Sequence, residues 1–169
     1  MGADIYLMSE YTKNKKKYES DFKKACNNRN NALIIMGYRT QSELWEKGSN
    51  EMKEKYSALQ EEVTRIFDLM YSKGYFRDSY NDSSLLWKFG LSWWELVRKN
   101  AIEVKNERIL PTGAVKKFLK QLADNEVVFE NNLKLMEKHN QEYFVEKYEE
   151  LKEFCKKAIK TREGLSCSV

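Results

Sequence analysis

From Met52 the apolar residues Tyr56, Leu59, Val63, Ile66 and Met70 follow at steps of four and three, flanked by Glu, Lys and Arg. That spacing is a heptad seam on one helix, and such a seam has to be buried against other helices, within the chain or across a homodimer. The rest of the chain fits a helical setting. One proline and seven glycines in 169 residues leave few places for the tight turns of an all-β fold. With 41% hydrophobic and 33% charged residues, the chain is too apolar for disorder and too polar for a membrane protein. Its length suits one core. The sequence therefore predicts a mainly α, single-domain helical bundle over residues 1–169.

One segment departs from the helical pattern. Residues Ala3 to Ser9 alternate loosely, Ile5 and Leu7 against Asp4, Tyr6 and Met8, which predicts one short N-terminal extended segment or strand. From about Asn14 a helix follows, with Tyr18, Phe22, Ala25 and Cys26 in register. The run Asn27 to Asn31 predicts a break in it, because asparagine side chains compete for the backbone. Gly37 is a stop signal, and Gly74 suits a left-handed cap after the heptad helix. Ser92 and Glu95 have the spacing of a capping box, before a helix carrying Trp93, Leu96, Val97 and Val104. Pro111-Thr112-Gly113 turns the chain into a helix with Val115, Phe118 and Leu122, and Asp124 or Asn125 caps the next. The last helix is expected from about Gln141 to Arg162, with residues 163–169 frayed.

The densest chemistry lies between Gly74 and Trp94, which holds seven of the chain's 22 aromatic residues and three of its four tryptophans. Gly74 to Asp82 lacks helical periodicity and is rich in turn formers, so Tyr75, Phe76, Arg77, Asp78, Tyr80 and Asn81 are expected on a loop. Asp82 or Ser83 then caps a short helix ended by Gly90. A loop feeding two helix N-termini offers unpaired N–H groups to an anion, and Arg77 can add a bidentate contact to phosphate or carboxylate. Tyr75, Phe76, Tyr80 or a tryptophan such as Trp94 can stack on a flat ring, Asn81 and Asp82 can read polar edges, and Asp78 is expected beside Arg77 among the ligand-binding residues. Together these suit an anionic, nucleotide-like ligand. The alternative is purely structural, with the Arg-Asp pair locking a buried loop and one of Trp93 and Trp94 in the core.

No catalytic constellation is legible. The one histidine, His139, is expected at a helix end, and no G-x-S-x-G, HExxH, Walker A or GxGxxG spacing occurs. Three scattered cysteines give neither zinc-ligand spacing nor a disulfide framework, so no metal or cofactor is expected and the compartment is read as reducing, hence cytoplasmic. Cys26 and Cys155 are expected to pack as small apolar residues. The net charge of +4 permits nucleic acid without requiring it, since the basic runs Lys13 to Lys17, Lys23-Lys24 and Lys156 to Arg162 are interleaved with acids. No stretch reaches the roughly 18 apolar residues of a membrane span.

The opening MGADIYL and the run GYFRDSYNDSSLLWKFGLSWW resemble two motifs of small bacteriophage and prophage accessory proteins of undefined function. The resemblance covers about one-sixth of the chain and carries over no catalytic residue. It implies a phage-type accessory protein acting in the host cytoplasm, where such proteins often disable host defence by sequestering a signalling nucleotide or by docking on a host protein. It also suggests that Ala3 to Ser9 lies beside Arg77, with Asp4 or Tyr6 completing one site. Two functions follow as expectations: a non-enzymatic binder of an anionic nucleotide-like ligand at Arg77, or an inhibitor or adaptor of a host protein acting through helix faces.

Overall fold

A computed structural model describes residues 2–79 and 84–169. Its helices are α1 (Met8–Ile35), α2 (Gln41–Lys47), α3 (Asn50–Tyr71), α4 (Leu85–Lys88), α5 (Trp93–Asn100), α6 (Thr112–Asp124), α7 (Glu126–Lys134) and α8 (Lys138–Thr161). Its strands are β1 (Gly2–Tyr6), β2 (Tyr75–Ser79), β3 (Ile102–Val104), β4 (Glu107–Leu110) and β5 (Leu165–Ser168). Mainly α is correct, but a pure helical bundle is not: the strands form one five-stranded antiparallel sheet in the order β2-β1-β5-β4-β3. The backbone contacts divide the chain into two compact units, one of the residues up to Ser9 with Gly74–Val169, the other Glu10–Lys73. No described helix is long and apolar enough to cross a membrane.

The first unit contains the whole sheet. In β1 the alternation is strict, with Ala3 and Ile5 fully buried and Asp4 and Tyr6 on the opposite face. Its partner β2 occupies the segment expected to be a loop. Phe76 and Asp78 point inward there, and an acid in an inward position hides the strand pattern from a hydrophobicity count. β5 corrects the expectation of a frayed tail: Leu165 and Cys167 are buried, and the strand pairs with β1 on one side and β4 on the other. Likewise α5 ends at Asn100, so Val104 belongs to β3 and not to a helix face. The β3-β4 turn places Lys105 and Asn106 at φ 51° and 66°, the two left-handed positions that match strand twist.

Against the inner face pack α4 to α8. Phe89 stacks on Phe129 at 4.3 Å between centroids and meets Tyr148 at 4.8 Å, while Trp93 packs on Phe118 and Phe76. Burial pushes the thiols of Cys155 and Cys167 up to about 12 from an ordinary 9.0. Unfolded thiols ionise at lower pH than these, so the stability they contribute is full below about pH 9 and is lost as pH rises toward 12. The urea midpoint should fall across that window, and fall less steeply in a Cys155→Ala/Cys167→Ala variant; equal slopes would show the thiols to be uninvolved.

In the second unit α1 and α3 form a helical hairpin, with the short α2 between them in sequence. Asn14 Nδ2 donates to the carbonyls of Leu69 and Met70 at 2.6 and 2.9 Å, satisfying the open end of α3, and Arg29 donates to Gln60 at 2.9 Å, so α1 and α3 run antiparallel. The heptad positions Tyr56, Val63, Ile66 and Met70 are buried, the middle two with Ala25 of α1. The expected break at Asn27 to Asn31 does not form. Those four asparagines are exposed and α1 continues past them until Gly37, at φ 83°, closes it with Tyr38 N–H on the Leu33 carbonyl.

Candidate functional site

The candidate site is the outward face of β1 and β2. Antiparallel pairing sets Asp4 directly opposite Arg77 and Tyr6 opposite Tyr75, and the period of two turns all four side chains to the same face. The Tyr75 hydroxyl donates to Asp4 Oδ1 at 2.6 Å, and Arg77 Nε lies 3.7 Å from that same oxygen. The Tyr6 and Tyr75 rings pack at 5.3 Å, tilted by 39°. The Arg77 side chain is 60% exposed and that of Asp4 26% exposed. Partial burial, followed by its bond to the Asp4 carboxylate, raises the Tyr75 phenol above its ordinary range. The guanidinium of Arg77 is raised in turn, first by its hydrogen bond with Tyr75 and then by Asp4. Neither group changes charge near neutral pH.

Gly2 is the residue that sequence reasoning overlooked. A Cβ there would stand 2.6 Å from the Asp78 carbonyl oxygen and 3.1 Å from Arg77 Nε, so the arginine lies across a position only glycine can occupy. A glycine inside a strand signals close approach by another group, and it was the available clue. Gly2→Ala should displace Arg77 and cost about 1–3 kcal/mol from overpacking. A urea midpoint equal to that of the wild type would show that the strand absorbs the methyl group without movement.

Asp78 has the opposite role from the one expected of a ligand contact. Its side chain turns inward, 6% exposed, and accepts from the N–H groups of Ser79, Leu85 and Leu86, the Ser84 hydroxyl and Trp93 Nε1, at 2.7–3.2 Å. The N-terminus of α4, expected to hold an external anion, is thus occupied by the protein's own carboxylate. The capping residue of α4 is Ser84, and Ser92 precedes α5 without the side-chain bond of a capping box.

Trp93 enters the core, whereas Trp94 stands 55% exposed on α5 with the Arg98 guanidinium 5.1 Å from its ring. Trp94 is therefore on a helix surface, whereas Asp4, Tyr6, Tyr75 and Arg77 are carried by β1 and β2. Tyr80 and Asn81, with the expected cap Asp82 or Ser83, lie outside the described residues. His139 sits in the first turn of α8, exposed, with Nδ1 3.4 Å from Glu137. Among the described residues no group of three or more His, Cys, Asp or Glu could hold a metal ion. In the basic runs Lys23 pairs with Glu19 and Lys156 with Glu153 along their helices, while Lys15 and Lys17 lie over the rings of Tyr11 and Tyr18. The chain matches no protein-family model, no curated protein and no solved structure.

Proposed function

We propose that the protein is a non-enzymatic binding protein that holds an anionic, nucleotide-like ligand on the outward face of β1 and β2. Arg77 is its anion contact. The observation that carries this reading is the cross-strand quartet of Asp4, Tyr6, Tyr75 and Arg77, with the guanidinium largely open to solvent. At 3.7 Å the Asp4 to Arg77 contact is longer than a hydrogen bond. An exposed pair of that kind is worth only about 0–1 kcal/mol, so an incoming phosphate competes with it readily. Asp4 and Tyr75 fix where the guanidinium points, and Tyr6 and Tyr75 offer aromatic edges beside it.

A phenol raised above its ordinary range and an arginine are poor proton carriers near neutral pH, which favours binding over acid–base chemistry. In the setting implied by the motif resemblance, the protein is a phage accessory protein that sequesters a host signalling nucleotide in the host cytoplasm. A second reading, docking on a host protein through helix faces, draws support from Trp87 and Trp94, which are 54% and 55% exposed.

A thermal-shift screen of wild type and Arg77→Ala against nucleotides, cyclic dinucleotides and NAD derivatives separates the two. A ligand at a hundred times its Kd should stabilise the wild type by about 2.7 kcal/mol. A shift present in the wild type and lost in a folded Arg77→Ala is the expected result; no shift with any compound would move the function to docking.

A further inference from the structure

We propose that the α1-α3 hairpin docks on a second copy of this chain through the groove along one of its flanks. Most of the heptad seam is already committed, because Tyr56, Val63, Ile66 and Met70 are buried. Along its edge runs an open groove of about 320 Å³, where the partly exposed Tyr18, Leu59 and Leu69 lie over the buried Ala25 and Ile66. A hairpin whose own core cluster consists of three buried residues, Ala25, Val63 and Ile66, gains most from pairing into a four-helix bundle.

The occupant is indicated by charge. Asp21 and Lys24 form the α1 rim of the groove, Glu62 and Arg65 the α3 rim. The antiparallel register, fixed by Asn14 against Met70 and Arg29 against Gln60, brings Asp21 level with Arg65 and Lys24 level with Glu62. The Arg65 guanidinium is held charged first by its two hydrogen bonds to Glu62 on the same rim, at 2.7 and 2.8 Å, and then by Asp21 across the groove, in line with that proximity. The rims therefore carry a checkerboard, minus and plus at one level, plus and minus at the next. A two-fold axis in the plane of the groove, along it or across it, lays every acid over a base of the other copy and runs facing helices antiparallel. An unrelated partner would have no reason to match this pattern, whereas a second copy matches it by symmetry.

Sedimentation velocity of the full chain over roughly a hundredfold range of concentration provides the test. The wild type should shift from monomer to dimer as concentration rises. Lys24→Glu/Arg65→Glu makes both rims acidic and Asp21→Lys/Glu62→Lys makes both basic; each alone should remain monomeric, and an equimolar mixture should sediment as a dimer. A folding defect cannot produce that rescue. A wild type that stays monomeric throughout, a dimer that survives in either variant, or a mixture that fails to associate would overturn the proposal.

Discussion

Asp78→Ala should unfold the strand-bearing unit at a markedly lower urea concentration than the wild type, with a loss of about 1.5–5 kcal/mol. Among the described residues, the carboxylate accepts from five donors: three backbone N–H groups, the Ser84 hydroxyl and Trp93 Nε1. Removing it takes the anion from the start of α4, worth about 0.5–2 kcal/mol by analogy with a helix cap. It also leaves the Trp93 indole N–H unpaired in the core, at about 1–3 kcal/mol. Against a total stability of about 5–15 kcal/mol that is a large fraction. Asp78→Asn keeps one carbonyl acceptor and should fall between the two. A midpoint in Asp78→Ala within error of the wild type would mean that water replaces the carboxylate without cost.

Deletion of residues 165–169 should abolish cooperative folding of the same unit. β5 lies between β1 and β4 and links the β3-β4 hairpin to the rest of the sheet. Deleting it exposes the sites of Leu165 and Cys167, of which the leucine alone is worth about 1.5–3 kcal/mol. It also removes two ladders of backbone hydrogen bonds at about 0.5–1.5 kcal/mol per bond. The sum rivals the stability of a whole domain. Circular dichroism of the deletion variant should show no sharp melting transition beyond that of the helical hairpin. A native-like melt would return the tail to the peripheral role its composition suggests.

The helices were legible because their signals are local and repeated. The seam from Met52 to Met70, the stop at Gly37 and the turn at Pro111 each rest on side-chain spacing or backbone freedom that neighbouring residues do not disguise. Beyond β1, which the alternation after Gly2 announces, the sheet was not legible, for three separate reasons. β2 turns a carboxylate inward, β5 is a four-residue alternation at a terminus, and all three residues of β3 are exposed, which erases the inside-outside contrast.

The candidate site was partly legible. Asp4, Tyr6, Tyr75 and Arg77 are candidates on residue type and on the motif resemblance alone, and the pairing of β1 with β2 brings them together. Asp78 was read with Arg77 because the two are adjacent in sequence, yet adjacency in a strand sends side chains to opposite faces. A segment read as a loop carries no such alternation. Gly2 escaped notice because its importance lies in what approaches it and not in what it does.

Isothermal titration of an anionic nucleotide from the thermal-shift screen into wild type and Arg77→Ala tests directly whether Arg77 is the anion contact. A charge-assisted contact of about 1.5–3 kcal/mol predicts a loss of affinity of roughly ten- to a hundredfold in the variant, whose melting temperature should otherwise be nearly unchanged. Equal affinity in the two proteins would remove Arg77 from the site and contradict the assignment.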